Sequence, residues 1–166
     1  HVLVFDGGDR IGPNVDPNVT PATVLDGVTV TGGQANGSSS DTQGGGLSCD
    51  GDRSGNECSP QIRNAIFAGN AAGSGGAIFN YGARGGTSSP VITNTVFTGN
   101  TAAGSGGAIV NDGAFGASNP QITNATFTGN AAGSSGGAIY GGESPQITNT
   151  ILWGNAAGLG TSEVDN

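Results

Sequence analysis

The chain has 166 residues, 34 of them glycine, about a fifth of the sequence against a usual share of roughly 7%. Helix interiors lose on the order of 1 kcal/mol for each Gly in place of Ala, and no apolar residues recur at helical spacing, so helical and coiled-coil folds are excluded; collagen is excluded because the glycines do not fall at every third position. A formal net charge of -8, with four arginines and no lysine, leaves no basic patch for nucleic acid or an anionic membrane surface.

Residues 1–166 are expected to form one domain. Residues 1–23 read as a lead-in: a strand at His1-Val2-Leu3-Val4-Phe5, then a polar stretch carrying Asp6, Asp9 and Asp16. Opening on His1 without Met, the chain reads as a processed product or an excised piece. No stretch approaches the roughly 20 apolar residues of a spanning helix, so membrane insertion is not expected.

Residues 24–158 are repeats. From Pro60 the chain reads PQIRNAIFAGNAAGSGGAIFN, from Pro90 PVITNTVFTGNTAAGSGGAIVN, from Pro120 PQITNATFTGNAAGSSGGAIYG and from Pro145 PQITNTILWGNAAG. A fainter copy, VLDGVTVTGG, runs from Val24 to Gly33 and is followed by GGGLSC at Gly44 to Cys49. Residues 159–166 form a short polar tail.

Three apolar columns run through these units. They are Leu25, Ile62, Ile92, Ile122, Ile147; Val30, Phe67, Phe97, Phe127, Leu152; and Leu47, Ile78, Ile109, Ile139. Three columns predict three core-facing strands per unit, each four or five residues long and bounded by Gly or Asn. The fold class is therefore all-β: a single-stranded right-handed parallel β-helix of about five rungs, each 25–37 residues long. Two asparagine columns mark the bends, Asn64, Asn94, Asn124, Asn149 and Asn70, Asn100, Asn130, Asn155. One residue type recurring once per rung predicts side-chain ladders, and Gly or Asn tolerates positive φ at corners. The segments Tyr81 to Ser89, Asp112 to Asn119 and Gly141 to Ser144 fall at one corner, as loops of free length.

Cys49 and Cys58 flank a loop rich in Gly, Asp, Ser and Asn. A local disulfide is the natural reading, and it implies an oxidising, extracytoplasmic setting; a pair of reduced thiols is the other reading. Within that loop Asp50, Asp52 and Ser54 place oxygen side chains at alternate positions, with Gly55 at the sixth, like the start of a calcium loop. Gln61 stands where a bidentate Glu belongs, so Asn56 and Glu57 would have to complete the set. Calcium and an ordinary acidic loop clamped by a disulfide are the two alternatives, and no other cofactor is implied.

The pairing of GGAI (Gly75 to Ile78, Gly106 to Ile109, Gly136 to Ile139) with Phe-x-x-Asn (Phe67 to Asn70, Phe97 to Asn100, Phe127 to Asn130) resembles the repeat of the polymorphic outer-membrane protein family. It is similar more broadly to bacterial right-handed β-helix surface proteins, over residues 22 to 158. The resemblance implies a secreted or surface-displayed, mostly non-enzymatic solenoid used in adhesion or as a spacer. Two departures stand out: Gly33 replaces the first Asn, and Leu152 replaces the last Phe with no GGAI after it.

An enzyme reading, a polysaccharide lyase or glycosidase on a β-helix, needs cations beside a base or two carboxylates about 5 to 9.5 Å apart. The central rungs offer Asp112 with Glu143 one rung on, and no catalytic residue is assigned. An ice-binding reading rests on the columns Asp26, Arg63, Thr93, Thr123, Thr148 and Val28, Ala65, Thr95, Ala125, Thr150, of which three rungs of the first are clean. Trp153 should point outward or cover the lower end of the solenoid. The leading expectation is a non-enzymatic extracellular solenoid with a structural or adhesive role. Its partners would be its own copies, stacked end to end into a filament, or further segments of a longer chain, and a surface glycan or cell receptor.

Overall fold

The computed structural model describes residues 1–7, 18–141, 145–159 and 163–165. Asp9, Asp16 and Glu143, named above, lie outside them. The chain coils into a parallel β-helix with four sheets rather than three. The first sheet stacks β2 (Val24–Asp26), β6 (Gln61–Arg63), β10 (Val91–Thr93), β14 (Gln121–Thr123) and β18 (Gln146–Thr148). The second stacks β3 (Thr29–Thr31), β7 (Ile66–Ala68), β11 (Val96–Thr98), β15 (Thr126–Thr128) and β19 (Ile151–Trp153).

The third sheet is the one the sequence conceals. It consists of the two-residue strands β4 (Gln34–Ala35), β8 (Ala71–Ala72), β12 (Thr101–Ala102), β16 (Ala131–Ala132) and β20 (Ala156–Ala157). Alanine has low β propensity, and two residues show no alternation. These strands exist because each rung lays its short segment, Ala-Ala in three of the five, against the previous one in register.

The fourth sheet has six strands: β1 (Leu3–Asp6), β5 (Leu47–Asp50), β9 (Ile78–Tyr81), β13 (Ile109–Asp112), β17 (Ile139–Tyr140) and β21 (Val164–Asp165). The lead-in strand thus starts the solenoid, with Leu3 opposite Leu47. The tail adds to it too, and Val164, opposite Ile139, takes the place that the missing GGAI would fill.

All three apolar columns hold in register and fill the interior. Ile62, Ile92, Ile122, Phe67, Phe97, Phe127, Leu47, Ile78, Ile109 and Ile139 are fully buried. The Phe rings stack at centroid distances of 5.3 Å (Phe67 to Phe97) and 4.5 Å (Phe97 to Phe127), a direct result of parallel, in-register pairing at about 4.8 Å per rung. Leu25, Ile147 and Leu152, in the end rungs, are only partly buried against that core.

The two asparagine columns do different work. Asn64, Asn94, Asn124 and Asn149 sit at φ of 51° to 54°, and Gly27 holds the same corner of the first rung at 68°. The left-handed backbone, which Asn tolerates better than other side chains, is what selects them. Asn94 also donates to Asn64 at 3.3 Å and Asn149 to Asn124 at 3.1 Å. The column of Asn70, Asn100 and Asn130 is fully buried. Each of these amides donates to the carboxamide oxygen of the next, at 3.0 Å, 2.9 Å and 2.8 Å, ending on Asn155. Each also donates to a main-chain carbonyl one rung back, those of Val30, Phe67 and Phe97. Gly33 departs from the column because a Cβ there would lie 2.0 Å from the Gly45 carbonyl oxygen; its amide still donates to Asn70 Oδ1 at 3.0 Å.

Candidate functional site on the loop face

The loops leading from the fourth sheet to the next rung are not of unrelated shape: they stack as well. Residues 51–60, 82–90 and 113–120 form three equivalent turns, each one residue shorter than the last. Arg53, Arg84 and Phe115 occupy the same place, all at positive φ (82°, 51° and 61°). Arg53 N donates to Ala83 O at 3.0 Å and Arg84 N to Ala114 O at 2.9 Å. Bridges join Glu57 to Thr87 and Thr87 to Ala117. Beneath the turns, the buried Ser88 hydroxyl donates to Cys49 O at 3.1 Å and that of Ser118 to Ser88 O at 3.2 Å.

The expected disulfide is present: Cys49 and Cys58 are bonded, with Cα atoms 5.6 Å apart, and both are fully buried. Cys58 falls in the column of Ser88 and Ser118, so the bridge fastens the first turn where hydroxyls fasten the next two.

The calcium candidates are distributed as follows. Asp50 Oδ1 accepts from Asp52 N at 3.0 Å, and Asn56 Nδ2 donates to Asp52 O at 2.7 Å. Both carboxylate oxygens of Asp52 face guanidinium groups: Oδ1 accepts from Arg84 Nε at 2.9 Å, and Oδ2 lies 2.5 Å from Arg84 Nη2 and 3.7 Å from Arg53 Nε. The hydrogen bond to Asp52, and then its charge, hold the Arg84 guanidinium above its ordinary pKa. Ser54 is exposed and Glu57 half-buried. The glycine and positive φ of this loop recur in the turns at 84 and 115, which carry no such acids, so its shape follows from stacking. A cation held by Asp52 would compete with Arg84.

The chemistry required of an enzyme is thin among the described residues. Asp112 Oδ1 accepts from Ala114 N at 3.2 Å. Asp50 shares its column, but Tyr81 lies between them, so the two acids are separated by two rungs, about 10 Å of strand spacing. The threonine array also divides: Thr95 is buried, its hydroxyl donating to Thr93 O at 3.0 Å, so the second of the two columns is not a flat outer face. Trp153 is 74% exposed on the outer side of β19.

Two features escaped the sequence reading. Asn80 and Asn111 form a third, short buried ladder, with Asn80 Nδ2 donating to Asn111 Oδ1 at 2.9 Å. Beside it, the outer face of the fourth sheet carries a groove of about 470 Å³. Phe79, Val110 and Tyr140 are register neighbours along it, Ser74 and Ser105 line one side, and Asp112 to Ala114 line another. Strand alternation was the available signal: in β9 and β13 the residue after the core Ile must face outward.

Residues 94–112 and 124–142 match the Chlamydia polymorphic membrane protein repeat. The chain therefore carries repeats of that type, which come from outer-membrane and surface proteins. No curated protein and no solved structure matches the chain. No helix of the described residues is long and apolar enough to cross a membrane.

Proposed function

We infer that the chain is a non-enzymatic, surface-displayed β-solenoid with a structural and adhesive role. The observation that carries this reading is the polymorphic membrane protein repeat, built into a stack whose buried polar side chains serve the stack itself: Asn70, Asn100 and Asn130 on one another, Ser88 and Ser118 on the loops. Side chains committed to cross-rung hydrogen bonds are not free for catalysis. The setting is extracellular, in keeping with the Cys49–Cys58 bridge.

Partners add at the ends and along the loop face. β2, β3 and β4 at one end and β18, β19 and β20 at the other are outermost in their sheets. Such edges template further pairing, so rungs of a longer chain, or second copies stacking into a filament, belong there. A receptor or surface glycan belongs on the lateral face.

Beads coated with the protein test this reading on cultured cells. Adherence above that of beads carrying an equally acidic globular protein supports it. Equal adherence together with turnover of a polysaccharide panel, lost on Asp112→Ala, would replace it with the enzyme reading.

A further inference from the structure

The groove on the outer face of the fourth sheet has a chemistry of its own. Its floor is a line of side chains one rung apart, Phe79, Val110 and Tyr140; Phe79 and Val110 are buried, and Tyr140 is 37% exposed. Hydroxyls of Ser74 and Ser105 line it, repeating from one rung to the next, and Asp112 lines it too. Asn111 borders it through the strand itself, its side chain turned inward to the buried ladder with Asn80. A volume of about 470 Å³ lies within the roughly 300–1,000 Å³ range of small-ligand sites.

We propose that this groove binds a neutral oligosaccharide lying along the solenoid axis. This rests on the adhesive reading above and names its ligand class and its site. Three features select the ligand. Asp112 is the sole carboxylate among the lining residues, which include no Lys or Arg, and the chain carries a net charge of -8; an anionic glycan meets repulsion with no cation to offset it. The main-chain groups of β9, β13 and β17 are engaged in parallel pairing, so a peptide cannot add here as a strand, as it does at a sheet edge. What remains is the exposed ring of Tyr140 flanked by the hydroxyl groups of Ser74 and Ser105 and the carboxylate of Asp112. That combination suits a pyranose, which offers a C–H face to the ring and hydroxyls to the walls. Rung spacing of about 4.8 Å is comparable with the repeat of a pyranose chain, so units following one seated on Tyr140 would pass the serines of successive rungs, Ser105 and Ser74.

The experiment is a titration of the isotope-labelled protein with cellotetraose, triacetylchitotriose and trigalacturonate, followed by amide NMR shifts. Saturable shifts at Ser74, Ser105, Asp112 and Tyr140 with at least one neutral oligomer, and not with the uronate, are expected. Tyr140→Ala should weaken Kd about tenfold, the loss of one ring contact, at unchanged Tm. Asp112→Asn keeps an oxygen for Ala114 N–H and should admit the uronate. No shifts with either neutral oligomer, equal binding of the uronate by the unsubstituted chain, or an unchanged Kd in Tyr140→Ala would each overturn the proposal. Bead adhesion separates the two readings: if Tyr140→Ala beads adhere as well as the parent, the groove is not the adhesive site and the adhesive role stands; if the parent does not adhere, that role falls on its own evidence.

Discussion

Asn155 Nδ2 donates to Glu163 Oε2 at 2.9 Å and to Phe127 O at 3.0 Å. In every earlier rung the first of these acceptors is the carboxamide oxygen of the next asparagine. Glu163 therefore terminates the internal ladder, as Gly33 opens it with a bare N–H. Glu163→Ala removes a charged acceptor and should cost about 1.5–3 kcal/mol, whereas Glu163→Gln keeps an amide oxygen and should recover much of it. Thermal unfolding of the two variants checks the difference; equal losses would show that the cap is incidental.

Position within the rung decides what an asparagine is worth. Asn100→Leu leaves the backbone N–H of Asn70 and one of its two Nδ2 hydrogens, which both bond Asn100 Oδ1, buried without an acceptor, while the other Nδ2 hydrogen keeps Val30 O. A loss of at least about 2 kcal/mol is expected at roughly 1–3 kcal/mol per orphaned group. Asn94→Gly, at an exposed left-handed corner, should cost under about 1 kcal/mol. Denaturant titration of the two variants tests the contrast.

Removing the disulfide by Cys49→Ala with Cys58→Ala frees a loop of sequence separation 9. Chain entropy for a loop of that size predicts a loss of roughly 2–3 kcal/mol, or about 5–10 °C in Tm for a chain of this length. Differential scanning calorimetry with and without reductant should give the same decrement in the parent.

Asp26 accepts from Asn64 Nδ2 at 2.8 Å and from Arg63 Nε at 3.0 Å. The bond from Asn64 chiefly lowers the Asp26 pKa below its ordinary 3.8; desolvation opposes it, and the bond from Arg63 and its charge add to the lowering. A carboxyl group with a depressed folded pKa stabilises the fold fully above the unfolded value, and that contribution fades as pH falls through the folded value. Asp26→Asn should therefore lower Tm slightly at pH 6, and the difference should shrink only as pH falls below the ordinary 3.8. Convergence already at pH 5 would contradict the assignment.

Arg84 engages Asp52, so a calcium ion held there would have to displace it. Calcium at millimolar concentration should raise the Tm of Arg84→Ala more than that of the parent chain. An equal or smaller rise would place any bound ion elsewhere than Asp52.

Much of the architecture is legible because a parallel stack repeats its requirements. Each Ile, Phe or Asn meets its own copy one rung away, so the columns of Ile62, Phe67, Ile78 and Asn70 appear as sequence periods before any contact is known. The third sheet is illegible for the opposite reason. Ala71–Ala72 has neither bulk nor alternation, and becomes a strand only when Thr101–Ala102 lies beside it. The functional site is harder still. Asp52 reads as a metal ligand in isolation, and only the stacking of two turns delivers Arg84 to it from 32 residues away.

By itself the sequence determined the fold class, the register of three sheets and both long asparagine columns, since all of these are written as identities at fixed spacing. Tertiary structure alone decided the fourth wall of each rung, the ending of the ladder on Glu163, the occupation of Asp52 and the groove beneath Tyr140. The fourth wall pairs alanine with alanine, too small and too short to read as a strand; the others depend on contacts between unlike residues, and chemical unlikeness leaves no period to read.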